Sequence, residues 1–248
     1  TVPVIPRAAT CSAMAARTST PSGPETPPVL APATTTSSLR WPIVAAAVLV
    51  NKKDLTKWQA TIWFKLVRDS KLLSPTKREL IFKQCHRQVT YSLGIVNNKI
   101  IDKIGIGEAN RLAVKLAVQK LSPQPQVVLC DYVGGLKSDY LARPLLESEP
   151  RSRRPARQGL QLQNIIDGDA KVFSIALASV LAKVSRDRMM MNLDKKYPEY
   201  AFGEHKGYGT AEHISALVKY GVSDVHRRSY KPVKYVENKE SRIKNHEC

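Results

Sequence analysis

Hydrophobic and polar positions along this chain follow two different periods. From Pro42 to Val50 every position is apolar, the pattern of a strand buried on both faces of a sheet. Thr61–Val67, with Lys65 as its single charge, predicts a second strand, and Tyr91–Val96 a third. Gln126–Asp131 predicts a short strand that ends in a carboxylate. Between these runs the period lengthens. Ser74 followed by Pro75 supplies an N-cap and a first helical residue, with Leu80 and Ile81 as apolar positions further on. Gly107–Leu121 sets Ala109, Leu112, Ala113, Leu116 and Ala117 on one helical face. Ala170–Leu193 predicts a long helix, small and apolar in its first half and basic at its end. Strands alternating with helices define an α/β chain.

Two stretches break the pattern. Ala, Pro, Ser and Thr fill 27 of the first 40 positions, with seven prolines and no lysine. Such sequence buries too little to offset its ordering entropy, so residues 1–40 are expected to be disordered or foreign to the fold. Seven prolines also argue against the amphipathic helix of a transit peptide, and no charged start followed by an apolar core marks a secretory signal. Residues 138–168 hold five arginines, three prolines and no lysine, whereas residues 52–137 hold twelve lysines and four arginines. The expected organisation is one domain over residues 41–234, interrupted by an atypical insertion or loop at 138–162. A basic tail at 235–248 follows it.

Charge then narrows the class of partner. Thirty-nine Lys and Arg against 21 Asp and Glu give a net charge of +18 and a pI near 9.9. A polyanion, most simply nucleic acid, is the expected partner, because each cation placed on a phosphate releases a condensed counterion. The longest apolar run is far below the ~20 residues of a membrane helix, so no membrane partner is expected. Cys11, Cys85, Cys130 and Cys248 form no CxxC pair; they are expected to be free thiols of a reducing, cytoplasmic compartment rather than disulfides or zinc ligands.

Three places can carry chemistry. Asp131 ends an apolar strand, where α/β sheets gather their ligands, although a strand-end Asp also caps turns. Asp169, in Gly168-Asp169-Ala170-Lys171, stands at a helix start, where Asp also serves as an N-cap. Brought together, the two acids would suit Mg²⁺ or Mn²⁺, which favour oxygen ligands. In His205-Lys206-Gly207-Tyr208-Gly209-Thr210, glycines allow close approach to a ligand and Tyr208 can stack on a sugar or base.

An ordered set of blocks resembles the type 2 ribonuclease H enzymes, bacterial ribonuclease HII in particular. The blocks are Pro42–Val50, Arg68–Ser74 with Lys77-Arg78-Glu79, Gly105–Asn110, Val128–Asp131, Gly168–Lys171, Ser174–Met189, His205–Thr210 and His226–Val233. The resemblance implies a ribonuclease H-like fold, a mixed central sheet flanked by helices, plus a helical C-terminal part. It also implies a monomeric endonuclease that hydrolyses the RNA strand of RNA/DNA hybrids and nicks at ribonucleotides embedded in duplex DNA. Four family carboxylates hold two divalent ions, Mn²⁺ or Mg²⁺, at the ~3.5–4 Å separation of two-metal sites. On this chain the third and fourth map to Asp131 and Asp169, both metal-holding and catalytic. Tyr208 matches the tyrosine that packs on the sugar at the RNA–DNA junction, and Lys71, Lys171 and Lys206 match phosphate-side cations. Asp187, in Ser185-Arg186-Asp187-Arg188, is expected to be a structural partner of nearby arginines rather than a ligand.

The chain departs from the family at its first motif, Asp-Glu-x-Gly-Arg-Gly. Counting back from Pro42 places Pro32-Ala33-Thr34-Thr35-Thr36-Ser37 at those positions, with neither acid present. Prolines 27, 28 and 32 lack the N–H of a central strand, so the family's first strand is expected to be missing. Taken literally, the chain is expected to be catalytically impaired, a hybrid- or duplex-binding module. Both breaks coincide with lysine-free, Arg- and Pro-enriched stretches, so we read residues 1–40 and part of 138–162 as frame-shifted or misassembled coding sequence. Translation of the other two frames upstream of the Trp41 codon checks this: absence of Asp-Glu-x-Gly-Arg-Gly there would refute it.

Overall fold

A computed structural model of the chain describes residues 29–35, 42–67, 70–143 and 160–246. Five strands form one mixed sheet: β1 (Val29–Thr35), β2 (Ile43–Val50), β3 (Tyr91–Val96), β4 (Val127–Asp131) and β5 (Gln161–Ile165), in the order β3-β2-β1-β4-β5. β2 runs antiparallel to both β1 and β3, while β1–β4 and β4–β5 are parallel. The predicted mixed sheet is therefore present.

β2 explains why both faces of the sheet are covered. Its residues are all buried, and alternate ones serve opposite cores. Val44, Ala46, Val48 and Val50 pack with Trp58, Trp63, Phe82, Phe173 and Leu177 on one face. Ile43, Ala45, Ala47 and Leu49 pack with Ile101, Ala113, Val114 and Ala117 on the other. The first face is built by α1 (Lys52–Trp58), α2 (Ile62–Leu66), α3 (Pro75–Cys85) and the 24-residue α8 (Phe173–Lys196). The second is covered by α4 (Asn98–Ile104), α5 (Ile106–Gln119) and the short α6 (Ser138–Ala142). Between β5 and α8 lies the one-turn α7 (Gly168–Lys171). Gly94 lets α5 sit directly on β3, since a Cβ there would lie 1.9 Å from the Ala113 carbonyl oxygen.

A third, smaller cluster joins the C-terminal elements α9 (Phe202–His205), α10 (Ala211–Tyr220) and α11 (Lys231–His246). Met190, Tyr200, Phe202, Leu217, Val233 and Val236 form it, and Met190 belongs to α8. α8 thus connects the sheet to the helical C-terminal part. The two described cysteines, Cys85 and Cys130, are free and buried, and burial pushes the Cys85 thiol up to about 12. Among the described residues no helix is long and apolar enough to cross a membrane.

Four sequence expectations need correction. Thr61–Val67 is not a strand: Thr61 caps α2 by accepting from the Phe64 N–H, and Trp63 and Phe64 pack on Phe173. A short apolar run fits either element, and here the cap and the aromatic packing decide for helix. Residues 1–40 are not wholly outside the fold, because Val29–Thr35 occupies the centre of the sheet. Pro32 lies beyond the two β1 residues that pair with β4, Val29↔Val127 and Leu30↔Val128, and stands opposite Ala47 of β2. The atypical region 138–162 includes α6 at its start and the beginning of β5 at its end, although residues 144–159 lie outside the described set. The expected tail at 235–248 is in its greater part the continuation of α11, whose Val233 and Val236 are buried in the third cluster.

Candidate active site

Parallel pairing of β4 with β5 brings Asp131 to the carboxyl end of the sheet, level with Ile165. Three residues beyond Ile165 the chain enters α7, whose first residue bonds to the Asp131 carboxylate. The Gly168 N–H donates to Asp131 Oδ1 at 3.0 Å, and the Tyr132 N–H donates to the same oxygen at 3.1 Å. Gly168 is needed for this approach, since a Cβ would lie 2.7 Å from Ile175 Cδ1 and 3.3 Å from Asp131 Cα. Asp169 is the next residue, buried at 7% exposure. It is not the helix cap; Asp167, at φ 53°, occupies that position. A backbone clamp of two N–H groups on one oxygen holds the Asp131 carboxylate in a fixed orientation.

Lys71 reaches this pair from the loop between α2 and α3. Its Nζ lies 3.4 Å from Asp169 Oδ2, with the lysine side chain 77% exposed. An ion pair that open is screened and worth only ~0–1 kcal/mol. The loop is anchored by a 2.7 Å hydrogen bond between Ser70 Oγ and Ser179 Oγ of α8, and by Arg78 Nη1 donating to the Ser70 and Leu73 carbonyls. One turn along α8 from Ser179 stands Lys183, whose Nζ lies 5.5 Å from the centre of the Tyr208 ring. Arg186 approaches the same ring at 5.6 Å. α8 therefore presents Lys71's anchor and Tyr208's neighbours on successive turns.

The other expected cations are placed differently. Lys171 shares α7 with Asp169, but its Nζ donates to the Ile166 carbonyl at 2.6 Å and lies 3.9 Å from Asp167. Lys206 contacts Met191 Sδ at 2.9 Å and the Gly203 carbonyl, and borders a cleft of about 610 Å³ with Arg78, Lys83 and Arg188. Asp187 pairs chiefly with Lys183 at 2.7 Å, and Arg186 stands at 4.0 Å. Sequence reasoning passed over Arg186, Lys183 and Gly168 as site-building residues. The signal for the first two was their spacing of three, facing one way from a helix otherwise apolar in its first half.

Hard oxygen donors suit a divalent ion, and the two carboxylates meet that requirement. Among the described residues, however, no group of three His, Cys, Asp or Glu side chains gathers to hold a metal. The donor set fits one Mg²⁺ or Mn²⁺ completed by water and phosphate oxygens, and falls short of a two-ion clamp.

A mixed five-stranded sheet covered by helices on both faces defines an α/β protein of the ribonuclease H-like type. The family model of ribonuclease HII matches residues 38–233. The chain is 42% identical over 199 residues to a ribonuclease HII of Dehalococcoides mccartyi strain BAV1, covering 79% of this chain and 81% of that one. The chain belongs to the ribonuclease HII family, and by family it is a ribonuclease H. Solved structures agree on the fold. The ribonuclease H2 of Pyrococcus horikoshii OT3 superposes with a TM-score of 0.65 at 22% identity, over 86% of this chain and 98% of that one. Bst-RNase HIII in complex with Mn²⁺ does so with a TM-score of 0.64 at 18% identity, over 87% and 70%.

Proposed function

We propose that this chain is a metal-dependent endonuclease that hydrolyses the RNA strand of RNA/DNA hybrids and nicks at ribonucleotides embedded in duplex DNA. The observation that supports this best is the convergence of Asp131 and Asp169 through the Gly168 N–H, beside a cation on an exposed loop. In this reading Asp131 and Asp169 hold one Mn²⁺ or Mg²⁺, which supplies Lewis-acid stabilisation of the phosphoryl transition state. Bst-RNase HIII has been solved with Mn²⁺, in keeping with a divalent ion in this fold. Lys71 leaves Asp169 for a phosphate next to the scissile bond. Tyr208, 41% exposed, offers its ring face to the sugar at the RNA–DNA junction. Lys171 and Lys206 contribute positive potential that positions the backbone without reading sequence.

A second reading has its own observation. β1 carries no acid, and its residues Pro32 and Ala33 stand where the family's first two carboxylates belong. With half the ligand set, the chain would bind ribonucleotide-containing duplexes and cleave them slowly. A duplex carrying one ribonucleotide, incubated with Mn²⁺ or Mg²⁺, separates the two. Metal-dependent nicking 5′ to the ribonucleotide supports the nuclease; salt-sensitive binding without nicking supports the impaired binder. Equal affinity for all-DNA duplex and no nicking would overturn both.

A further inference from the structure

Three histidines surround the backbone of the Tyr208 loop, and their hydrogen bonds fix every proton. A carbonyl only accepts, so His213 Nδ1, 2.8 Å from the Tyr208 carbonyl, must carry a hydrogen. A backbone N–H only donates, so His226 Nδ1, which receives the Ser223 N–H at 3.0 Å and contacts Ser223 Oγ at 2.8 Å, must be bare. The His226 hydrogen therefore sits on Nε2 and points at His213 Nε2, 3.4 Å away. The result is a one-way relay: Ser223 N–H to His226, His226 to His213, His213 to the Tyr208 carbonyl. Both rings are neutral, since an added proton would set two N–H groups against each other. Both are buried, at 0% and 1% exposure.

His205 completes the cage. Its Nδ1 receives the Gly207 N–H at 3.1 Å, its Nε2 donates to the Tyr200 carbonyl at 2.8 Å, and its ring stacks on His213 with centres 4.5 Å apart. Arg186 holds the preceding residue by donating to the Lys206 carbonyl at 3.0 Å. The cage has something to hold. Lys206 at φ 49° and Gly207 at φ 84° are both left-handed, a conformation a lysine keeps only when its surroundings impose it.

We propose that His213 is a positioning residue for Tyr208, the terminal donor of a Ser223–His226–His213 relay that sets the tyrosine ring against the sugar and so contributes to preference for ribose-containing duplex. The inference rests on the reading of Tyr208 as the sugar contact. The relay reaches Tyr208 through its main chain, while Lys183 and Arg186 flank its ring, so ring placement is determined from two independent sides.

The test compares affinities of the full chain for duplex DNA with one ribonucleotide and for the same all-DNA duplex, in chelator so that nothing is cut. Tyr208→Ala is expected to lower the preference at least about tenfold. His213→Phe keeps a buried ring without the donor and is expected to lose most of the same preference. Adding it to Tyr208→Ala should cost nothing further. His213→Asn, whose amide can still donate to the Tyr208 carbonyl, should restore it; a merely structural histidine would show no such rescue. No effect of Tyr208→Ala overturns the sugar-contact reading and this inference with it. An effect of Tyr208→Ala with wild-type preference in His213→Phe overturns this inference alone. Should His213→Phe not fold, ¹⁵N spectra of the unaltered chain decide. They must show His213 protonated at Nδ1 and His226 at Nε2, with the His213 signals moving on ribonucleotide duplex and not on all-DNA duplex. Any other tautomers, or equal movement with both duplexes, contradict the proposal.

Discussion

Strands β1 and β4 lie side by side in the same sheet, yet they differ in what their sequences supply. β4 reads Val-Val-Leu-Cys-Asp, three of its five residues are buried, and it delivers an acid to the carboxyl end. β1 reads Val-Leu-Ala-Pro-Ala-Thr-Thr and delivers none. A sheet asks its central strand for an extended backbone with hydrogen-bonding groups, which most sequences can offer; a metal site asks for particular side chains at particular places. β1 pairs with β2 along all seven of its residues and with β4 along two. Carried forward, the β1–β4 register sets Ala33 level with Asp131. The sheet is thus complete at a strand that carries no acid, and the family model begins its match only at residue 38.

The largest effect should come from repairing β1. Pro32→Asp together with Ala33→Glu is expected to raise metal-dependent nicking of ribonucleotide-containing duplex by roughly 100-fold, the order that metal-site groups contribute. An unchanged rate would show that β1 does not border the site. On the β4 side, Asp131→Asn should abolish whatever nicking the chain has while leaving duplex affinity equal or higher, because a charge that repels phosphate is gone. Undiminished nicking would place the site elsewhere.

Much of this was legible in residues taken singly. Asp131 at the end of an apolar strand, Asp169 after Gly168 and Tyr208 between glycines are local patterns whose chemistry depends on few neighbours. The β2 run was equally plain, because a strand covered on both faces is apolar throughout. What failed depended on context. Thr61–Val67 became a helix because Trp63 and Phe64 pack on Phe173, more than a hundred positions away. β1 was invisible because Pro32 interrupts it and the segment around it is rich in Ala, Pro, Ser and Thr, so its strand shows only through the partners that neighbouring strands supply. The histidine relay joins His213 within α10 to His226 in the segment after it, and no periodicity announces it.

Smaller effects sharpen the contrast further. Gly168→Ala removes no acid, yet its Cβ would press on Ile175 and Asp131; a loss of about 1–3 kcal/mol in stability and weaker metal binding are expected by thermal melting and titration. Full metal affinity in that variant would dissociate the clamp from the site. At the start of α5, Glu108 accepts from Tyr140 at 2.8 Å and from Arg111. Burial raises the Glu108 carboxyl, but the Tyr140 and Arg111 hydrogen bonds, with the charges of Arg111 and Lys115, outweigh it and hold the group below its ordinary 4.5. A carboxyl so depressed stabilises the fold above pH 4.5 and loses that contribution as pH falls through its folded value. The melting advantage of the unaltered chain over Glu108→Gln should therefore be small, fully present at pH 7 and shrinking as the pH is taken down below 4.5; an advantage that does not shrink in acid would contradict this. Nicking should be indifferent to that substitution.

The proposed metal site needs two carboxylates acting together, and Mn²⁺ titration followed by electron paramagnetic resonance tests that directly. One ion per chain is predicted, with binding lost in both Asp131→Asn and Asp169→Asn and kept in Asp187→Asn. Binding that survives either of the first two substitutions, or that disappears with the third, would contradict it.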